Sequence, residues 1–385
     1  MEADLALRDF TLNAMALPLA GGPLVDPFDG RRHLREGRLV AVDRRIFADD
    51  PLRLLRAVRL AHTLGLTVED QTSELARAEA WRLPQAAAER ILAEVVLTLE
   101  AGHSATAVCQ WARLGLLEPL FPEVVALHGV TQSPFHHLDV YGHTLGAMER
   151  LDEILAEPGR FFGLSWEQLE TRLAEPVDGL MSRPVALRLG ALLHDVAKPQ
   201  TRAVDESGRV TFWGHTEVGA GMAGAVCTRL RCSAAATSLI RKVVEEHLRV
   251  GFVQHEEPLS SRILVSTLWA LAPWEPEVLM VSVADRLATR GPRTPEESVD
   301  RHLATARTLM DAWCRRAVDG VPRPPLGGHE LMAGLDLKPG PLLGEVLREV
   351  TLAWEAGEVA GADEALALAA GYLQQRRGQG LPPGP

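Results

Sequence analysis

Apolar positions recur at helical spacing along most of the chain, and only a few short pieces alternate like strands. Leu54, Val58 and Ala61 form one stripe behind Pro51, and residues 74–127 read as consecutive helices, among them Ala86–Leu99 and, after a break at Gly102, Ala105–Leu117. Further helices are predicted over Asp139–Leu155, Pro184–Lys198, 235–248 and 275–290, and residues 157–183 read as polar and irregular. Strand candidates are limited to Leu24-Val25, Arg38–Val42 and a hairpin whose arms, 201–204 and 209–212, flank the turn Asp205-Glu206-Ser207-Gly208.

The helix over Pro184–Lys198 is the element of most chemical interest. Pro184 suits a first turn, the interior Leu189-Gly190-Ala191-Leu192-Leu193 is apolar, and Pro199 is expected to stop it. An apolar helix belongs in a core, yet this one ends in His194, Asp195 and Lys198. Burying those groups alone is costly, so they require partners or a metal. His143 lies one helix upstream, and His215, His247 and Asp285 lie downstream. Residues 128–138 form a His-rich loop, in which His128, His136 and His137 read as solvated or supporting groups, as does His255 further on. Tyr141 and Trp213 read as packing residues.

The first 50 residues are too few to bury a core of their own, so the chain is expected to begin inside a domain. Asp50 is placed to cap a helix opened by Pro51, and Arg53, Arg56 and Arg59 form a ridge along it. From Arg31 to Arg59 nine arginines stand against four acids. This basic cluster matters because the chain as a whole carries a net charge of −11, which leaves any nucleic-acid contact to a local patch. Three of the 40 basic residues are lysines. The length of 385 residues allows two or three domains. The four cysteines form no CxxC pair, the N-terminus lacks a signal-peptide core, and the apolar stretch Ile263–Val283 is broken by prolines and glutamates. A reducing, cytoplasmic setting without a membrane span is expected.

Three ordered motifs carry a family resemblance. Leu7-Arg8-Asp9-Phe10-Thr11-Leu12-Asn13-Ala14-Met15-Ala16, Leu24-Val25-Asp26-Pro27-Phe28-Asp29-Gly30 and Asp49-Asp50-Pro51-Leu52-Arg53-Leu54-Leu55-Arg56-Ala57-Val58-Arg59 resemble, in order and spacing, the head of bacterial CCA-adding tRNA nucleotidyltransferases and related poly(A) polymerases. Ala88-Glu89-Arg90-Ile91, Gly115-Leu116-Leu117 and the region Pro324–Ala370 extend the likeness over nearly the whole chain. The resemblance implies that Asp50 and Arg53 read the Watson–Crick edge of CTP or ATP, that Arg8 and Asp9 contact ribose and triphosphate, and that Arg56 assists near the phosphates. Leu7 and Asp49 replace the arginine and glutamate usual in that family. Its Gly-Gly turn and Asp-x-Asp metal pair precede the first motif and have no counterpart here, so the chain as written is expected to lack nucleotide transfer.

His143, His194-Asp195 and Asp285 resemble the H…HD…D pattern of HD metal-dependent phosphohydrolases, with Lys198 completing an HDxxK extension. The likeness implies divalent-ion ligands (for Mg²⁺, Mn²⁺ or a similar ion) at His143, His194, Asp195 and Asp285, a second ion site with His215 and His247, and catalytic roles for His194, Asp195 and Lys198. The expected fold is mainly α: an incomplete α+β nucleotidyltransferase head (1–62), a helical RNA-binding neck (63–127), an all-α HD domain (128–300), a helical C-terminal region (301–375) and a disordered tail (376–385). The expected function is that of a tRNA nucleotidyltransferase-family enzyme with an HD phosphohydrolase domain, its partners being tRNA or another RNA 3′ end and nucleotides. The alternatives are a free-standing HD phosphohydrolase with an RNA-binding remnant, and a non-enzymatic RNA-binding protein.

Overall fold

The structure, a computed structural model, describes residues 1–132, 137–163, 166–256, 258–291, 295–321 and 323–378. His136 and the tail beyond residue 378 lie outside the described residues. Among the described residues the fold is mainly helical, with two sheets of two short strands each. The chain divides into two compact units, one of Met1–Leu248 with Met280–Asp300 and one of Arg249–Leu279 with Arg301–Pro385.

In the first unit the N-terminal segment gains its sheet partner from downstream. Arg38–Leu39 pairs in parallel with Thr67–Val68, and single bridges join Phe10 to Ala41 and Ala16 to Val25. Phe10, Leu39 and Phe47 are fully buried together with Leu54, Leu55, Ala57 and Val58 of the helix Arg53–Leu64. That helix begins at Arg53 rather than Pro51, because Asp50 closes a tight turn first: its carboxylate accepts from Leu52 N at 3.1 Å and its carbonyl from Arg53 N at 3.0 Å. Gly65, at φ 64°, ends it. Helices Asp70–Glu79, Ala88–Glu100 and Ser104–Arg113 follow.

Beyond them, Asp139 caps the helix Val140–Ala156 by accepting from Gly142 N at 2.8 Å. Residues 157–183, expected to be irregular, contain short helices at Pro158–Phe162 and Trp166–Ala174. Their polar composition hides three buried anchors, Phe161, Phe162 and Leu169. The central helix spans Arg183–Leu193, capped by Ser182 with Pro184 in its first turn, and it is buried along its whole length. It ends at Leu193, before the polar triad rather than after it. Pro199 does not stop this helix but sits in the first turn of another, Lys198–Thr201, where the missing N–H costs nothing. The predicted hairpin forms, with Ala203–Val204 antiparallel to Val210–Thr211. Helices His215–Arg229 and Ala234–Glu246 complete the shell, with the Met280–Ala288 portion of Glu275–Ala288.

Two glycines set how closely these helices approach. A Cβ on Gly190 would lie 2.8 Å from Val243 Cγ1, and one on Gly219 would lie 3.1 Å from Val244 Cγ1. Both the central helix and the His215–Arg229 helix therefore rest backbone-first on Ala234–Glu246.

The second unit packs Pro341–Glu355 and Ala362–Gly378 around Leu331, Val346, Val350, Ala353, Ala365 and Ala369, all fully buried. Arg262 bridges Glu349 and Glu358. The last helix takes in residues 376–378, which were expected to be disordered.

The close packing yields a paired test. Gly190→Ala should lower unfolding free energy by about 1–3 kcal/mol, the usual cost of overpacking. Gly221→Ala, in open space on the His215–Arg229 helix, should raise it by about 0.5–1 kcal/mol through helix propensity. Denaturant unfolding of the two variants reads the difference.

Candidate metal centre and nucleotide-recognition residues

Five elements bring the polar groups together. His143 comes from Val140–Ala156, His194 and Asp195 from the turn after the central helix, His215 from the start of His215–Arg229, and His247 from the end of Ala234–Glu246. Asp285 comes from Glu275–Ala288.

Three of the histidines are held the same way. His194 Nδ1 faces Ala191 O, His215 Nδ1 faces Phe212 O and His247 Nδ1 faces Val244 O, each at 2.8 Å and each three residues back along the chain. A carbonyl only accepts, so each Nδ1 carries the proton and each Nε2 presents its lone pair when the ring is neutral. Burial pushes His215 below its ordinary value, and burial with the His194 charge pushes His247 down to about 3, so both are neutral at pH 7.

Their Nε2 atoms nonetheless point at carboxylate oxygens. His215 Nε2 and His247 Nε2 stand 3.5 and 3.8 Å from Asp195 Oδ1. His194 Nε2 stands 3.2 Å from Asp195 Oδ2 and 3.8 Å from Asp285 Oδ1. His143 Nε2 lies 2.8 Å from Asp285 Oδ1 and 3.7 Å from Asp195 Oδ2. Burial works against the charge of Asp195 and Asp285, but His194 and Lys198 beside the first, and His143 beside the second, hold both carboxyls below the usual range. For His194 burial works downward, yet the Asp195 carboxylate outweighs it and the pKa is raised.

His194 Nε2, His215 Nε2 and both Asp195 oxygens are buried without a well-formed hydrogen bond. Acceptors turned toward acceptors in a water-poor interior repel unless a cation lies between them. His143/His194/Asp195, His194/His247/Asp285 and Asp195/His215/His247 each place ligand atoms within 4.8 Å of one another. Imidazole nitrogens mixed with carboxylate oxygens, the histidines oriented by Nδ1–H to backbone carbonyls, fit a divalent ion. Lys198 Nζ lies 2.6 Å from Asp195 Oδ2, and its other oxygen partner, Gln132 Oε1 at 2.7 Å, had no signal in the sequence.

The head residues are arranged differently. Asp9 is buried, and each of its oxygens is engaged: Oδ1 accepts from Phe10 N and Asn13 Nδ2 at 2.8 and 2.9 Å, and Oδ2 accepts from Arg56 Nε and a terminal guanidinium nitrogen at 2.8 and 2.7 Å. Arg53 donates to Leu7 O at 2.9 Å, so the 7–9 segment and the Arg53–Leu64 helix are tied together. Asp50 faces Arg90 at 3.1 Å, and Arg8 is exposed beside Asp4. Arg59 and Arg56 both approach the buried Glu94, at 2.7 and 3.7 Å. Arg90, Glu94 and Asn13 stood out in the sequence only as parts of a polar face or a motif.

Among the remaining aromatic and histidine residues, His128 is exposed and stacks on Tyr141 at 3.7 Å between centroids, and His137 and His255 are exposed. Trp213, expected to be a packing residue, is 84% exposed.

Comparison with known proteins adds a second line. The HD domain model matches residues 140–290, the model described as the probable RNA and SrmB-binding site of polymerase A matches 65–127, and the poly A polymerase head domain model matches 1–40. The A-adding tRNA nucleotidyltransferase of Deinococcus radiodurans is 34% identical over 388 residues, covering 98% of this chain and 81% of the relative. The CC-adding tRNA nucleotidyltransferase of Thermus thermophilus is 33% identical, covering 96% and 76%. The multifunctional CCA protein of Methylococcus capsulatus is 30% identical, covering 99% and 80%. The Thermotoga maritima CCA-adding enzyme complexed with tRNA shares the fold at a TM-score of 0.54 and 19% identity, over 97% of this chain and 74% of that one. A CCA-adding enzyme with CTP does so at 0.58 and 20%, over 97% and 72%. Similarity of this length to single relatives does not favour a free-standing phosphohydrolase.

Asp9 offers a test of the head. Hydrogen bonds from Asn13 and Arg56 overcome the effect of burial and lower its pKa. A carboxyl whose pKa is depressed on folding contributes stability above the unfolded value near 3.9, and loses it as pH falls through the folded value. Asp9→Asn should therefore cost about 1–3 kcal/mol at pH 7. The gap between variant and wild type should close as the pH is lowered below about 4, read by urea unfolding at several pH values.

Proposed function

The chain belongs to the CCA-adding tRNA nucleotidyltransferase family, and from that premise we propose that its head recognises CTP or ATP for tRNA 3′-end synthesis and that its HD domain carries a metal-dependent phosphohydrolase centre. We assign the head to residues 1–62, the neck to 63–127, the HD domain to 128–300 and the helical C-terminal region to 301–375. No helix among the described residues is long and apolar enough to cross a membrane, and a cytoplasmic location goes with the tRNA-directed reading.

In the head, Asp50 and Arg53 are proposed to read the base edge of CTP or ATP, a carboxylate accepting and a guanidinium donating. The Arg53 bond to Leu7 O fixes the guanidinium near Arg8, whose exposed side chain suits triphosphate. Asp9 clamps Arg56 by two nitrogens and so orients it for a phosphate or ribose contact.

In the HD domain, the observation that supports the reading is the buried convergence of the His143, His194, His215 and His247 Nε2 atoms on the carboxylates of Asp195 and Asp285 at ligand spacing. His143, His194, Asp195 and Asp285 would hold one divalent ion, such as Mg²⁺ or Mn²⁺, and His215 and His247 would share Asp195 toward a second. A bound ion supplies polarisation of a phosphoryl oxygen and a water of lowered pKa. Lys198, held against Asp195, neutralises phosphate charge, and burial of the cluster excludes bulk water.

Two measurements test the proposal. Titration with Mn²⁺ by calorimetry should show binding to the wild type and at least a ten-fold loss in Asp195→Asn, with loss of Mn²⁺-dependent hydrolysis of a 2′,3′-cyclic nucleotide. Unchanged metal affinity in the variant would sink the metal reading. Arg53→Ala should weaken CTP and ATP binding about ten-fold or more while leaving the HD activity intact, and equal nucleotide affinity in the two proteins would count against the head assignment.

A further inference from the structure

Gln132 carries an unfilled polar group beside the metal cluster. Its Oε1 accepts from Lys198 Nζ at 2.7 Å, and an ammonium only donates, so the orientation of the amide is settled: the oxygen faces Lys198 and the nitrogen faces away from it. That nitrogen, Nε2, is buried and has no hydrogen-bond partner. A buried donor left unmade is costly, and such groups in folded proteins call for a ligand that completes them.

The residues leading to Gln132 are tied to the rest of the domain. Arg202 donates to Thr131 Oγ1 at 3.3 Å, Val140 N to Val130 O at 3.0 Å, and Gly129 N to the Asp139 carboxylate at 2.7 Å. Lys198 is itself buried, fixed by Asp195 Oδ2 at 2.6 Å and lying 5.4 Å from the centre of the Phe212 ring, whose backbone carbonyl orients His215. An N–H donor without an acceptor, an ammonium and a cluster suited to cations thus stand side by side.

We propose that Gln132 and Lys198 form an anion subsite in which Gln132 Nε2 donates to a phosphoryl oxygen of the substrate, a phosphomonoester or a cyclic phosphodiester. This rests on reading the neighbouring cluster as a phosphohydrolase centre. Gln132 has two tasks there: its oxygen holds Lys198 in place, and its nitrogen binds the anion. It is a substrate-binding residue, and it lies outside the HD motif itself.

Calorimetric titration of inorganic phosphate into the Mn²⁺-loaded and the metal-free chain separates these tasks. Gln132→Met removes both, and phosphate affinity should fall about ten-fold, with Mn²⁺ affinity within two-fold of wild type. Gln132→Glu keeps an acceptor for Lys198 but loses the donor, and should bind phosphate at least as weakly as Gln132→Met. Wild-type phosphate affinity in Gln132→Glu would mean that the residue only tethers Lys198, and would overturn the proposal. So would a wild-type chain that binds no phosphate in either state. A wild type that binds phosphate, weakened in both variants, but takes up no Mn²⁺ would support the subsite while removing the metal reading.

Discussion

The candidate metal centre depends on one local hydrogen bond made three times: a histidine Nδ1–H donated to the carbonyl three residues earlier, in His194, His215 and His247. Each bond fixes a ring and a tautomer together. Each therefore turns an Nε2 lone pair into the same small volume, where Asp195 and Asp285 present oxygens. With the rings neutral the arrangement places acceptors beside carboxylates, and a positive charge in or beside the cluster makes it favourable. Lys198 supplies part of that charge from one side.

The geometry of the bond cascades into the helix packing. A bond back to residue i−3 places His194 and His247 in the turns that end their helices and His215 at the start of its own. For these ends to converge, the central helix and His215–Arg229 must lie close against Ala234–Glu246. Gly190 and Gly219 permit that approach, and Val243 and Val244, next to one another, are the side chains they meet. Val244 also lends its carbonyl to His247. Packing and ligand placement thus share residues, so a change in one disturbs the other.

Much of this was legible in the sequence, for identifiable reasons. That these imidazoles and carboxylates would come together was plain because such groups on apolar helices have few explanations. The helices themselves followed from periodicity and from the caps Ser182 and Asp139. The end of the central helix was misplaced because Pro199 reads equally as a stop or as a first-turn residue, and the turn at His194–Ala197 decides for the second. Residues 157–183 hid two helices because Phe161, Phe162 and Leu169 are isolated in a polar stretch. Gln132 had no signal at all, since its partner Lys198 is 66 residues away. Trp213 was misread because residue type alone does not reveal exposure in a connecting turn.

The head and the HD domain also differ in how their acids are treated, and the difference separates scaffold from ligand. Asp9 accepts from Phe10, Asn13 and twice from Arg56, which exhausts a carboxylate of practical capacity. Glu94 accepts from Arg59 Nε at 2.7 Å and stands 3.7 Å from Arg56. Both acids thereby position arginines. Asp195 is buried as deeply as either, yet apart from the Lys198 ammonium at 2.6 Å its oxygens face only imidazole Nε2 atoms, at 3.2 to 3.8 Å. Asp50 is intermediate: one oxygen holds the Leu52 turn and the other meets a half-exposed arginine that can be displaced. Satisfaction of each carboxylate, more than its burial, therefore distinguishes the acids that hold arginines from the acids with oxygens left to meet a ligand.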